Sequence, residues 1–177
     1  VRTSNDLAGN LGQSFETDSA TFARAFHDTA FCAKYGVDTA TIIALFIPNT
    51  YELYWSTTTE QLMTRMKKEY DNYWTTKRKA LAKKIGLTPL QVMTLASIVE
   101  QETNDNKEKP MVAGMYLNRY KKGMRLQADP TVKYATGKFY LHRIAGDILF
   151  TDSPYNTYKY AGFPPGPICI PSIASIK

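Results

Sequence analysis

The sequence predicts a helix-dominated α+β fold, and three observations carry that prediction. Leu62, Met66, Tyr70, Tyr73, Trp74, Leu81 and Ile85 recur at threes and fours on one stripe, the pattern of a long amphipathic helix from Ser56 to Gly86. Thr88-Pro89-Leu90-Gln91 is a well-formed helix start, with Thr88 as N-cap, Pro89 first in the helix and Gln91 placed for a capping box. The last third is rich in Pro, Asn, Asp and aromatics, with brief extended stretches that suit a few short strands supporting loops.

Taken in order, residues 1–45 alternate apolar bursts with polar clusters, which predicts short helices joined by turns. Asp18 or Ser19 can cap a helix carrying Phe22, Ala25 and Phe26, and Ala44-Leu45-Phe46-Ile47 reads as a short buried run before Pro48 interrupts. Eight Lys or Arg lie between Arg65 and Lys84. Glu69 and Asp71 break that run, so we read it as the solvated face of a helix rather than a nucleic-acid surface. After the Thr88 start, Val92, Met93, Leu95, Ala96, Ile98 and Val99 cover most of a helix circumference and predict a helix through the interior. A further amphipathic segment runs from about Lys107 to Lys121, and Gly123 stops it.

With 177 residues and 44% apolar content the chain can bury a sizeable core, and no stretch reaches the ~20 apolar residues of a membrane span. Two cysteines, Cys32 and Cys169, cannot build a disulfide framework. With only His27 and His142 beside them there is no CxxC or HExxH metal set, so no metal is expected. The net charge of +6 suits a partner carrying carboxylates or phosphates without choosing among them.

Glu100 and Glu102 stand at the end of the interior helix. At 100° per residue Glu102 falls beside Leu95 and Ile98, and Glu100 beside Met93 and Ala96, so both are expected to border apolar surface. A carboxyl there is desolvated, which disfavours the anion and favours a proton held for delivery, as a general acid requires. The alternative is structural: one glutamate solvated at a frayed end, the other paired with a base such as Arg119 or Arg125.

Six blocks, in order, resemble the YceG/MltG family of endolytic murein transglycosylases. They are Phe46-Ile47-Pro48-Asn49-Thr50-Tyr51, Ala96 to Thr103 with its Glu100-Gln101-Glu102-Thr103, Leu117-Asn118-Arg119, Gly123 to Tyr134, Tyr155-Asn156-Thr157-Tyr158, and Gly162 to Ile168. Ala128 before Asp129-Pro130-Thr131, and Asp152-Ser153-Pro154 before Tyr155, depart from the family's commonest forms.

The resemblance implies internal cleavage of nascent peptidoglycan strands at the β-1,4 bond after N-acetylmuramic acid, leaving 1,6-anhydro ends. Glu102 matches the family's catalytic acid, with Glu100 in support. The reaction needs one carboxyl group and no metal, water or cofactor. Gln127, Tyr155, Asn156 and Tyr158 are candidates for orienting sugar acetamido and hydroxyl groups. Asp129 is either a second carboxylate or, the reading we prefer, the cap of the next helix. The implied core is lysozyme-like, with the interior helix delivering Glu102 into a cleft. Residues 46–177 would form the catalytic domain, truncated at its end, and residues 1–45 a helical lead-in after an absent LysM-like module. The family also implies a single-pass anchor in the bacterial inner membrane, absent from this chain, a catalytic domain facing the periplasm, and cell-wall synthases as partners. Two rivals remain: a non-catalytic peptidoglycan-binding scaffold, and a pyridoxal-phosphate aminodeoxychorismate lyase, for which no glycine-rich phosphate loop is present.

Overall fold

A computed structural model describes residues 1–141 and 143–177, so His142 lies outside the described residues. These residues form helices and loops, with no strand among them, so the expected α+β fold is corrected to a helical one. They divide into two compact units, Val1–Pro89 and Leu90–Lys177. The boundary expected between residues 45 and 46 lies inside the first of these.

In the first unit, α1 (Ser4–Gly12) opens with a capping box in which Thr3 and Asp6 satisfy each other's backbone N–H. Asp18 caps α2 (Ser19–His27) by accepting the Thr21 N–H at 2.6 Å, and Asp28 caps α3 (Thr29–Ala33). Phe22, Phe26, Ile42, Leu45 and Met63 are wholly buried and form the core of the unit, with Phe26 edge-on to Phe46. The long helix predicted from Ser56 to Gly86 is two helices, α4 (Thr59–Tyr73) and α5 (Thr76–Lys84). Trp74 leaves helical geometry at φ −82° and ψ 63°, and Thr75 restarts the chain by accepting the Arg78 N–H. The Arg78 guanidinium donates back to the Tyr73 carbonyl at 2.7 Å and lies 4.1 Å from the centre of the Tyr73 ring. The apolar stripe therefore does not continue: Leu81 is 55% exposed, while Ala82 is buried. Arg65 with Glu69 and Lys67 with Asp71 pair one turn apart on α4, as a solvated face does.

The second unit is built on α6 (Pro89–Glu102), buried continuously from Met93 to Val99. It continues through α7 (Lys109–Lys121), α8 (Asp129–Thr136) and the short α9 (Ile173–Ile176). Gly123 takes φ 67° after α7, a left-handed turn that suits glycine. The chain near residue 168 straps across α6, where the buried Ser97 hydroxyl accepts the Ile168 N–H at 2.9 Å. The extended segments meet through one backbone bond, from the Gln127 N–H to the Thr157 carbonyl at 3.1 Å, and otherwise through side chains, so no ladder of strands forms. Thr157 Oγ1 accepts the Ala128 N–H at 3.0 Å, and the Asn156 amide donates to the Leu149 and Thr151 carbonyls at 3.0 and 2.8 Å. Cys32 and Cys169 are both free and buried.

Candidate active site

Glu102 is the last residue of α6 and is exposed, because the buried run of that helix ends three residues earlier at Val99. The expectation of an apolar border for Glu102 is thereby corrected. Its Oε2 accepts a 3.1 Å hydrogen bond from the hydroxyl of Tyr116, a residue of α7 that is only 2% exposed. Burial pushes the Tyr116 phenol well above its ordinary range, and the charges of Glu102, Tyr158 and Asp129 push the same way. Tyr116 is thus favoured as a neutral donor.

Asp129 opens α8, but its carboxylate is not the cap: Ala128 holds the cap position with no side-chain bond. Asp129 Oδ1 instead accepts a 2.5 Å hydrogen bond from the Tyr158 hydroxyl. Burial pushes Tyr158 up to about 12, with the Asp129 hydrogen bond and charge and the Glu102 charge adding, and Arg119 opposing. Each tyrosine thus feels both carboxylates, so Glu102, Asp129, Tyr116 and Tyr158 form one constellation with Arg119 at its edge.

Arg119, on α7, donates from Nε to the Arg125 carbonyl at 2.9 Å and from its other arm to Gln127 Oε1. Arg125 in turn donates to the Tyr158 carbonyl at 3.1 Å. Gln127 is exposed and has φ 54°. Neither arginine is bonded to Glu100 or Glu102; the base that pairs with Glu100 is Lys109, so the structural alternative drawn from sequence, one glutamate solvated at the helix end and the other paired with a base, describes Glu100 with a different base.

Glu100 is half-buried and engaged internally. Its Oε2 accepts from Lys109 Nζ at 3.1 Å, from the Ser172 hydroxyl at 2.6 Å and backbone N–H at 3.2 Å, and from the Ser175 hydroxyl. Burial alone pushes this carboxyl up, but the hydrogen bonds from Ser172, Ser175 and Lys109 together outweigh it and bring it down to about 2. Asn156, expected to orient sugars, is wholly buried, and its amide oxygen accepts the Tyr158 N–H at 3.0 Å. With both donors already on the Leu149 and Thr151 carbonyls, it builds the loop that carries Tyr158 and turns no polar group outward. Tyr155 is half-buried, its ring 4.6 Å from that of Tyr134.

Sequence reasoning named Glu102, Gln127, Asp129 and Tyr158 as site residues and did not name Tyr116 among them. A buried tyrosine must still find a partner for its hydroxyl, and that requirement was the available signal. Among the described residues no group of three or more His, Cys, Asp or Glu is arranged to hold a metal. No described helix is long and apolar enough to cross a membrane.

A family model described as YceG-like matches residues 1–177. An endolytic murein transglycosylase of Bacillus subtilis (strain 168) is 38% identical over 119 residues, covering 67% of this chain and 32% of that protein. Another, from Streptococcus pneumoniae serotype 2, is 35% identical over 138 residues, covering 73% of this chain and 24% of that protein. The chain therefore spans a third or less of these relatives. The crystal structure of a YceG-like protein of Listeria monocytogenes superposes with a TM-score of 0.80 at 30% identity, over 97% of this chain and 61% of that one.

Proposed function

This chain belongs to the YceG-like family, and on that premise we propose that it carries the catalytic acid of an endolytic murein transglycosylase. The observation that carries the reading is the exposed Glu102 carboxyl, set at the end of a buried helix and held by one buried, neutral tyrosine. Such a group is both accessible and fixed, as the lysozyme-like acid expected from the sequence would be. The B. subtilis and S. pneumoniae proteins bear the name of this activity.

Because the Tyr116 hydroxyl donates to Oε2, the transferable proton of Glu102 belongs on Oε1. In the proposed reaction Oε1–H protonates the glycosidic oxygen, and the bond from C1 of N-acetylmuramic acid to that oxygen breaks with its electron pair leaving on the oxygen. The oxocarbenium-like carbon that develops is stabilised by the negative Glu102 and Asp129. The sugar's own C6 hydroxyl then closes on C1, and Glu102 takes its proton, which restores the acid and forms a 1,6-anhydro ring. Atoms balance without water or cofactor. Gln127, Tyr155 and Tyr158 line the sugar-binding side, while Glu100 and Asn156 support the site from within. The whole protein, in this reading, acts on the outer face of the bacterial inner membrane, held there by an anchor outside this chain, with cell-wall synthases as partners.

Mass analysis of products from purified glycan strands tests the proposal. Internal cuts ending in 1,6-anhydro-N-acetylmuramic acid are expected; reducing ends from hydrolysis, or no cleavage, would overturn it.

A further inference from the structure

Gln127 is the one non-glycine residue with positive φ among those described, and at 54° it sits in the left-handed region that side chains avoid. Its neighbours hold it there. Leu126 and Ala128 are wholly buried, the Gln127 N–H donates to the Thr157 carbonyl at 3.1 Å, and the Ala128 N–H donates to the Thr157 hydroxyl. A glycine would adopt this backbone without strain, so the fold tolerates strain at a position whose side chain projects to the surface.

Arg119 fixes what that side chain presents. A guanidinium carries only donors, so the Gln127 atom facing it must be the amide oxygen. The planar amide then turns both Nε2 hydrogens away from Arg119. The result is a donor-only group on Arg119, at the edge of the constellation of Glu102, Asp129, Tyr116 and Tyr158. Sugar hydroxyls can satisfy either kind of partner, because they donate and accept. An acetamido carbonyl only accepts; the Tyr116 and Tyr158 hydroxyls already donate to Glu102 and Asp129, and the Glu102 proton is kept for the glycosidic oxygen, so the carbonyl is taken by the amide.

We propose that Arg119 locks Gln127 as a one-way donor that reads the acetamido carbonyl of a glycan sugar, which makes Arg119 a positioning residue for substrate specificity. This rests on the murein reading above and names the group on the strand that the site selects.

The test compares kcat/KM on N-acetylated glycan strands with the same strands after chemical N-deacetylation, using the full chain. Gln127→Glu keeps an oxygen for Arg119 but removes the donors. It should lose about tenfold on acetylated strands, the scale of one hydrogen bond, and should come to prefer deacetylated strands, whose ammonium groups donate to the new carboxylate. Wild type should lose a similar factor on deacetylation. Arg119→Met leaves Gln127 in place but free to turn, and should shrink the acetyl preference toward unity without reversing it. A wild-type enzyme indifferent to acetylation, or a Gln127→Glu variant with undiminished kcat/KM on acetylated strands, overturns this inference alone. A wild type that cleaves neither strand overturns the murein reading and this inference together.

Discussion

Glu100 and Glu102 lie two positions apart on one helix, and their different surroundings separate what each substitution should do. Glu102 is exposed and, among the described residues, is held by Tyr116 alone, so Glu102→Gln should leave the unfolding free energy within about 0.5 kcal/mol of wild type. The amide has no proton to give, and glycan cleavage should fall at least ~10²-fold; retained turnover would take the acid role from Glu102. Glu100→Gln should do the reverse. It strips the counter-charge from Lys109, whose side chain is 8% exposed, and should destabilise the chain by about 3 kcal/mol in denaturant titration. At Gln127 the argument concerns backbone rather than charge. Gln127→Gly relieves the left-handed strain and should raise stability by about 1 kcal/mol while impairing cleavage, whereas a loss of stability would show that the side chain's bond to Arg119 matters more than the strain.

Among the elements, the break between α4 and α5 depends on Thr75, whose hydroxyl caps α5. Thr75→Ala should cost about 1 kcal/mol in thermal or chemical unfolding and leave the kcat of glycan cleavage unchanged; no loss would mean the break is held by Arg78 and the buried Trp74 instead. This break also shows what a sequence conceals. Apolar spacing and helix start and stop signals are local information, and together they placed the buried α6, its start at Pro89, and α7 to within two residues of the observed Lys109–Lys121. The same spacing ran through Trp74 because a restart capped by one threonine leaves the stripe intact on paper. The expected strands failed for a different reason: extended segments near residues 157 and 168 bond to Thr131, Ala128 and Ser97, and such partners are up to 71 positions away. Asp129 reads as a cap from its place before Pro130, yet its oxygen goes to Tyr158, 29 residues on. Glu102 was legible as the candidate acid through motif resemblance, whereas Tyr116 became visible only when α7 was seen against the end of α6.

For the molecule as a whole, acid should act mainly through carboxylates whose native environment favours the anion. Asp6, Asp18 and Asp152 are all shifted down by hydrogen bonds, and Glu100 is carried furthest, to about 2. The unfolded chain holds a glutamate at about 4.3, so between that value and 2 the unfolded state binds more protons than the folded one at Glu100. The stability Glu100 contributes is therefore fully present above about pH 5 and is lost progressively as pH falls through 4 toward 2. At neutral pH the chain already carries +6, and each carboxylate protonated on the way down adds to its self-repulsion. Unfolding free energy measured from pH 7 to pH 2.5 should hold nearly level and then fall steeply below about pH 5. Glu100→Gln starts from a lower plateau but cannot take up that proton, so its curve should fall less steeply over the same window. A variant curve parallel to wild type would show that Glu100 is not the group that carries the acid response, and would shift the weight to the three aspartates.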